Sequence, residues 1–193
     1  MRRVDLEHII RAAGEIAGVK EIIILGSQSI LGQFPSLGEE GFNSDNNVKI
    51  GFSSIEFNPC KSAEADVMVP ENEELADEIE GAIGEFSLFH ETHGCYAQAV
   101  DSTTSKLPKR WKERLVAISN DNTNGIVGLC LEIHDLIVSK LFASREKDIE
   151  FFKSIIALNL IKKETLMERL KEASLEKSDF DRIFRLIKRY FHE

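Results

Sequence analysis

Val19-Lys20-Glu21-Ile22-Ile23-Ile24-Leu25-Gly26-Ser27-Gln28-Ser29 is the stretch on which the fold turns. Val19 to Leu25 is a short β-branched run, the mark of a buried strand. Gly26-Ser27 ends it, and Gln28 to Phe34 reads as a short helix. Before it, Leu6, Ile9, Ile10, Ala13 and Ile16 recur at helical spacing, so Asp5 to Ala17 is an amphipathic helix. After it, residues 36–62 are rich in Gly, Asn and Ser, with weak alternation from Val48 to Phe52; they read as an insertion, either a loop or a small hairpin.

Alternation resumes at Glu64-Ala65-Asp66-Val67-Met68-Val69, a second strand closed by Pro70. Glu71 to Gly84 follows as a helix whose first turn is acidic, which suits the helix dipole. Cys95–Val100 and Arg114–Ile118 read as further strands, joined through Pro108 and a packing anchor at Trp111. From Leu131 the pattern is helical: one long helix to Ala157, then Glu164–Ala173 and Asp179–Phe191, the last with Ser178 as N-cap. The expected class is α/β (α+β), a mixed sheet flanked by helices. Residues 1–130 form the core and residues 131–193 a helical part packed on it.

The 193 residues, 42% hydrophobic and 30% charged, describe an ordinary globular protein. A chain this long buries roughly 70% of its unfolded surface and needs no disulfide or metal staple. Apolar runs such as Ile22 to Leu25 fall far short of the ~20 residues of a membrane helix, and Met1 to Glu7 is too acidic for a signal peptide. Cys60, Cys95 and Cys130 make no paired spacing, which suits reduced thiols and a cytoplasmic location. The net charge of −9 argues against a generic nucleic-acid binder. It is unevenly spread: residues 140–193 hold 13 Lys and Arg against 10 Asp and Glu. That basic tail suits an anion-holding segment beside an acidic site, or simply a solvated helix surface.

Three constellations carry chemistry. A glycine directly after a buried strand lets a phosphate approach the backbone, and the Ser27 hydroxyl and adjacent amides can hold it; a plain Ser-capped turn has the same sequence. Glu64 and Asp66 lie two apart on a strand and so project from one face. Two like charges there are unfavourable unless a cation lies between them, and paired oxygens suit Mg²⁺; a polar exposed face is the alternative. On the long helix, His134, Arg145 and Asp148 fall inside an apolar arc with Lys140 at its edge, so they are paired with one another or working. An Arg145–Asp148 ion pair is the structural version, and Lys140 either reaches a triphosphate as a point charge or snorkels.

Taken together, I-I-I-L-G-S-Q-S, the acid-x-Asp strand, D-L-I-V-S-K-L and R-E-K-D-I-E-F resemble the nucleotidyltransferase superfamily. The likeness is strongest to minimal bacterial nucleotidyltransferases related to abortive-infection and type IV toxin enzymes, in a subgroup with similar G-S-Q-S, H-E-T-x-G and H-D-L-x-x-S-K-L segments. Gly26-Ser27 matches the family's Gly-Ser turn, Glu64 and Asp66 its acid pair, Asp135 with Lys140 its Asp-x4-Lys, and Asp148 with Glu150 its acidic helix motif. The resemblance implies Mg²⁺ held by Glu64 and Asp66 and an NTP bound by Gly26, Ser27, Gln28, Ser29, Asp135, Lys140 and Asp148. By the same resemblance, Glu64, Asp66 and Lys140 would carry the chemistry, transfer of a nucleotidyl group to a hydroxyl of a tRNA, protein or small molecule with loss of pyrophosphate. An antitoxin-like partner also belongs to this implication.

The chain departs from the pattern in three places. Ser27 and Glu64 stand 37 positions apart where the family places about a dozen, so the 36–62 insertion takes up the excess. The first acid is Glu where Asp is usual. The strand expected to bring a third carboxylate offers Gln98, a poor metal ligand, with Glu91 or Glu132 as substitutes of unknown placement. A fold that has lost catalysis and binds a nucleotide or a partner is therefore the alternative. His90, His93 and Cys95 suggest either a zinc cluster or a polar loop bordering the site, although His90-Glu91-Thr92-His93 is one residue short of H-E-x-x-H. There is no P-loop, dinucleotide fingerprint or nucleophile elbow.

Overall fold

A computed structural model of the protein describes residues 1–39, 49–50, 53–54, 58–70, 72 and 74–191. Helix α1 (Arg3–Ala17) leads into strand β1 (Glu21–Ile24), and a 3-10 turn (Ser27–Gly32) follows. Of the expected insertion 36–62, residues 40–48, 51–52 and 55–57 lie outside the described residues. Within it, β2 (Lys49–Ile50) and β3 (Ser53–Ser54) pair antiparallel as a small hairpin. The core resumes with β4 (Glu64–Met68), α2 (Glu74–Ile83), α3 (Leu88–His93), β5 (Tyr96–Ala99), β6 (Val116–Ile118) and β7 (Val127–Cys130). Four helices complete it: α4 (Ile133–Ala143), α5 (Glu146–Ala157), α6 (Lys163–Glu172) and α7 (Lys177–Tyr190).

The strands form one mixed five-stranded sheet in the order β5-β4-β1-β7-β6. β1 sits at its centre, antiparallel to β4 and parallel to β7, which explains why Ile22, Ile23 and Ile24 are all buried. β4 shows the expected alternation: Ala65 and Val67 enter the core while Glu64 and Asp66 face the other way. α1 packs against α2 and across β1, β5 and β7, and α6 and α7 pack with α4. Among the described residues no helix is long and apolar enough to cross a membrane.

One strand escaped the sequence reading, and three expectations need correction. Strand β7 has no alternating signature, because V-G-L-C is short and carries a glycine; a Cβ at Gly128 would lie 2.3 Å from Ile10 Cδ1, so the glycine is what lets α1 close on the sheet. The single long helix from Leu131 to Ala157 is two, broken where Ser144 adopts φ 52°. Residues 88–93 are a short helix capped by Ser87, whose side chain accepts from the His90 N–H, rather than a loop. The last helix starts after Glu176, so Ser178 lies inside it and does not cap it.

Candidate functional site

The register of the sheet builds the site. The Leu25 N–H donates to the Asp66 carbonyl at 2.9 Å, which sets the Gly26-Ser27 turn beside the carboxylates of β4. Gly26 has φ 60° and ψ −167°, a backbone conformation essentially reserved for glycine. A Cβ there would fall 1.6 Å from Asp66 Oδ2, so the carboxylate lies directly against the turn. On the other side, β5 runs parallel to β4 with Tyr96 beside Glu64 and Gln98 beside Asp66. The Tyr96 hydroxyl donates to Glu64 Oε2 at 3.3 Å. With its amide nitrogen turned to the carboxylate, Gln98 donates to Glu64 Oε1 at 2.9 Å and Oε2 at 3.2 Å.

These groups floor a cleft of about 730 Å³. Gly26, Ser27, Glu64, Asp66 and Gln98 line its base. Lys61, Lys106, Lys140, Arg145 and Lys147 line its walls, so five cations surround two carboxylates. Burial, and then the neighbouring charge of Glu64, raise the Asp66 carboxyl to about 6, while Lys140 and Lys147 pull the other way. Oxygen donors at that strain of like charge fit a small hard cation held by one or two carboxylates and completed by phosphate oxygens.

The helices that break at Ser144 supply the cationic wall. Asp148 on α5 is fully buried and accepts from Lys140 Nζ on α4 at 3.1 Å and from Arg145 Nε at 2.8 Å. Burial alone would push its carboxyl up, but the Arg145 hydrogen bond and the Lys140 charge outweigh it and hold it below the ordinary range. Lys140 also sits over the Phe151 ring, 4.7 Å from its centroid, and burial lowers its pKa against the opposing pull of Asp148. The Arg145–Asp148 ion pair read from the helix pattern is therefore present, and Lys140 is part of it.

Gly26, Ser27, Glu64, Asp66 and Lys140 thus converge. Gln28 and Ser29 point inward instead: Gln28 Nε2 donates to the Ser62 carbonyl at 3.2 Å and Ser29 Oγ to the Gly26 carbonyl at 2.8 Å, so they shape the turn from behind. Asp135 lies apart from the cleft lining, fully buried, bound by Arg114 at 2.8 and 3.0 Å with Arg169 Nε 3.4 Å away. Glu132 caps α4 and takes the His134 ring at 2.7 Å, while His134 Nε2 accepts from the Lys162 N–H, so His134 is a satisfied packing residue and Glu132 is not free to act as a third carboxylate. Glu91 lies on the exposed α3. His90 meets the Tyr96 ring at a tilt of 50° and His93 meets His8 and Phe89, while Cys95 is buried. Among the described residues no three His, Cys, Asp or Glu side chains gather as a metal-holding group, which removes the zinc cluster. Lys61, Lys106, Lys147 and Tyr96 escaped the sequence reading; only the R-E-K-D run hinted at Lys147.

A mixed sheet with an acid-x-acid strand against a Gly-Ser turn, facing a cation-walled cleft, describes a nucleotidyltransferase-like protein. The chain belongs to the family described as nucleotidyltransferases of unknown function (DUF6036), whose family model matches residues 5–193. No curated protein and no solved structure matches it.

Proposed function

We propose that the protein transfers a nucleotidyl group from an NTP to an acceptor hydroxyl in a Mg²⁺-dependent reaction. The observation that carries this reading is Asp66 lying against the Gly26 turn, with Glu64 beside it in a cleft that Lys140, Arg145 and Lys147 also line. Glu64 and Asp66 are the residues that would hold Mg²⁺, which when bound supplies Lewis-acid polarisation of phosphate oxygens and relieves the repulsion between the two acids. Ser27 and the amides of its turn bind the β- and γ-phosphates. Arg145 and Lys147 offset charge on the triphosphate, and Lys140 contributes from its ion pair with Asp148. Gln98 and Tyr96 orient Glu64 through their hydrogen bonds. In the transfer itself the acceptor oxygen bonds to the α-phosphorus, the bond to the bridging oxygen breaks, pyrophosphate departs and the hydroxyl proton passes to solvent.

A non-catalytic nucleotide-binding role is the second reading, favoured by Gln98 standing beside Asp66 where a third carboxylate would raise the basicity of the hydroxyl. The two readings separate with labelled NTPs. Mg²⁺-dependent binding, lost in Asp66→Asn, supports both; a ligand at 100 times its Kd stabilises by roughly 2.7 kcal/mol. Covalent retention of an α-phosphate label by an acceptor, without the γ-phosphate label, supports transfer. Absence of Mg²⁺-dependent binding for all four NTPs overturns both.

A further inference from the structure

The cleft depends on a contact made behind it. Residues 139–147 contribute Ser139, Lys140, Phe142, Ala143, Arg145 and Lys147 to the cleft, so its cationic wall is the elbow between α4 and α5. The last carbonyls of a helix have no partner within it; at this elbow Ser144 takes those of Lys140 and Leu141, and one side chain of the last helix takes that of Phe142 and shares that of Leu141. Arg182 on α7 donates through Nη1 to the Leu141 carbonyl at 3.1 Å and to Ser144 Oγ, and through Nη2 to the Phe142 carbonyl at 3.1 Å. Asp179, one turn earlier, accepts from the same Nη2 at 3.1 Å and aims the fork. One guanidinium thus fixes four acceptors, three of them in the segment that turns α4 into α5.

We propose that Arg182 is a positioning residue for the nucleotide cleft. Among the described residues its hydrogen bonds and ion pair go to Leu141, Phe142, Ser144 and Asp179, and to no charged group of the cleft lining. By holding the elbow it sets the angle at which α5 leaves α4, and so keeps Lys140 on one helix within reach of Asp148 on the other. Arg145 and Lys147 then face the carboxylates of β4. No glycine or proline makes this bend; the backbone of Ser144 is held in a left-handed conformation that side chains rarely adopt. A guanidinium cation also favours the negative end of α4. Lysine cannot reproduce the fork, because its ammonium is a single point of donors.

The inference rests on the nucleotide-binding reading above, and its test keeps the two apart. Arg182→Ala and Arg182→Lys are compared with Ile187→Val, a change at a fully buried position on the same helix that lowers stability without removing the fork. Mg²⁺–NTP affinity is measured well below each melting transition, and amide exchange is followed at Ser144, Asp148 and Ile149, whose N–H groups bond across or next to the elbow. Arg182→Ala is expected to weaken Mg²⁺–NTP binding tenfold or more and to speed exchange at those three amides. Arg182→Lys should recover part of both, and Ile187→Val should bind as the wild type does. Wild-type affinity in Arg182→Ala, or an equal loss in Ile187→Val, overturns the proposal. If the wild type itself binds no Mg²⁺–NTP, the functional reading fails, and unchanged exchange in Arg182→Ala would separately refute the role of Arg182 at the elbow. Should the alanine variant not fold, Arg182→Lys against Ile187→Val decides.

Discussion

Gly26→Ala tests the site where the geometry is tightest. The new Cβ meets two obstacles. The backbone at φ 60° and ψ −167° is one that only glycine adopts readily, and holding alanine there costs about 1–3 kcal/mol. The Cβ would also sit 1.6 Å from Asp66 Oδ2, inside any van der Waals contact, so the carboxylate must rotate away from the turn. For a chain of this size, 1 kcal/mol lowers Tm by roughly 2–4 °C, giving a loss of about 2–12 °C. Gly18 supplies the control. It too has a positive φ, 65° with ψ 28°, but a Cβ there meets nothing within 4 Å. Gly18→Ala carries left-handed strain alone, about 1–2 kcal/mol. Calorimetry and Mg²⁺–NTP titration of the two variants therefore separate strain from displacement of Asp66. Gly18→Ala should be less stable with unchanged nucleotide affinity. Gly26→Ala should lose at least tenfold in affinity, about 1.4 kcal/mol. A Gly26→Ala protein that binds as tightly as Gly18→Ala would falsify the placement of Asp66 at the phosphate turn.

Further outcomes follow from the same structure. Asp66 keeps its proton up to about 6 in the folded protein, against an ordinary 3.8, so its ionised form costs stability above that pH and the cost fades as pH falls through 6 toward 4. Asp66→Asn should therefore melt above the wild type near pH 8, by up to about 3 kcal/mol, and the two should converge near pH 4 in a series of thermal scans. Asp148→Ala leaves Lys140 buried without its partner and should lose about 3–5 kcal/mol in urea denaturation; a loss under 1 kcal/mol would contradict the coupling seen between α4 and α5. Asp135→Ala removes the buried acceptor of Arg114, which keeps Glu172 and the Lys109 carbonyl, as Arg169 keeps Glu172; it should therefore cost less than Asp148→Ala, about 1–3 kcal/mol, and leave Mg²⁺–NTP affinity unchanged when measured below its Tm. Gln98→Glu adds a third acid beside Glu64 and Asp66, and should lower Tm without metal while strengthening Mg²⁺ binding seen by calorimetry; weaker Mg²⁺ binding would place the metal elsewhere.

The sequence by itself determined what short-range periodicity can carry. The isoleucine run of β1, the alternation of β4 and the spacing of α1 are readable because each element's burial pattern repeats within its own few residues. The same local rule put Glu64 and Asp66 on one face and Gly26-Ser27 at the end of the central strand, and that is the base of the cleft. What lay beyond it needed partners distant in the chain. Val127–Cys130 becomes a strand only because β1 and β6 flank it, and Gly128 serves a contact with Ile10 that no local pattern announces. Asp135 matched a motif, but Arg114 and Arg169 arrive from other elements and claim it for packing. The break at Ser144 is invisible in a sequence whose helical periodicity runs on: Ser144 closes α4 onto the Lys140 and Leu141 carbonyls, but Arg182, which also binds this turn, lies 38 residues later. Local physics drew the floor of the site; the packing of α4 against α5 through Asp148 and the contact from the last helix decided where its cationic wall stands.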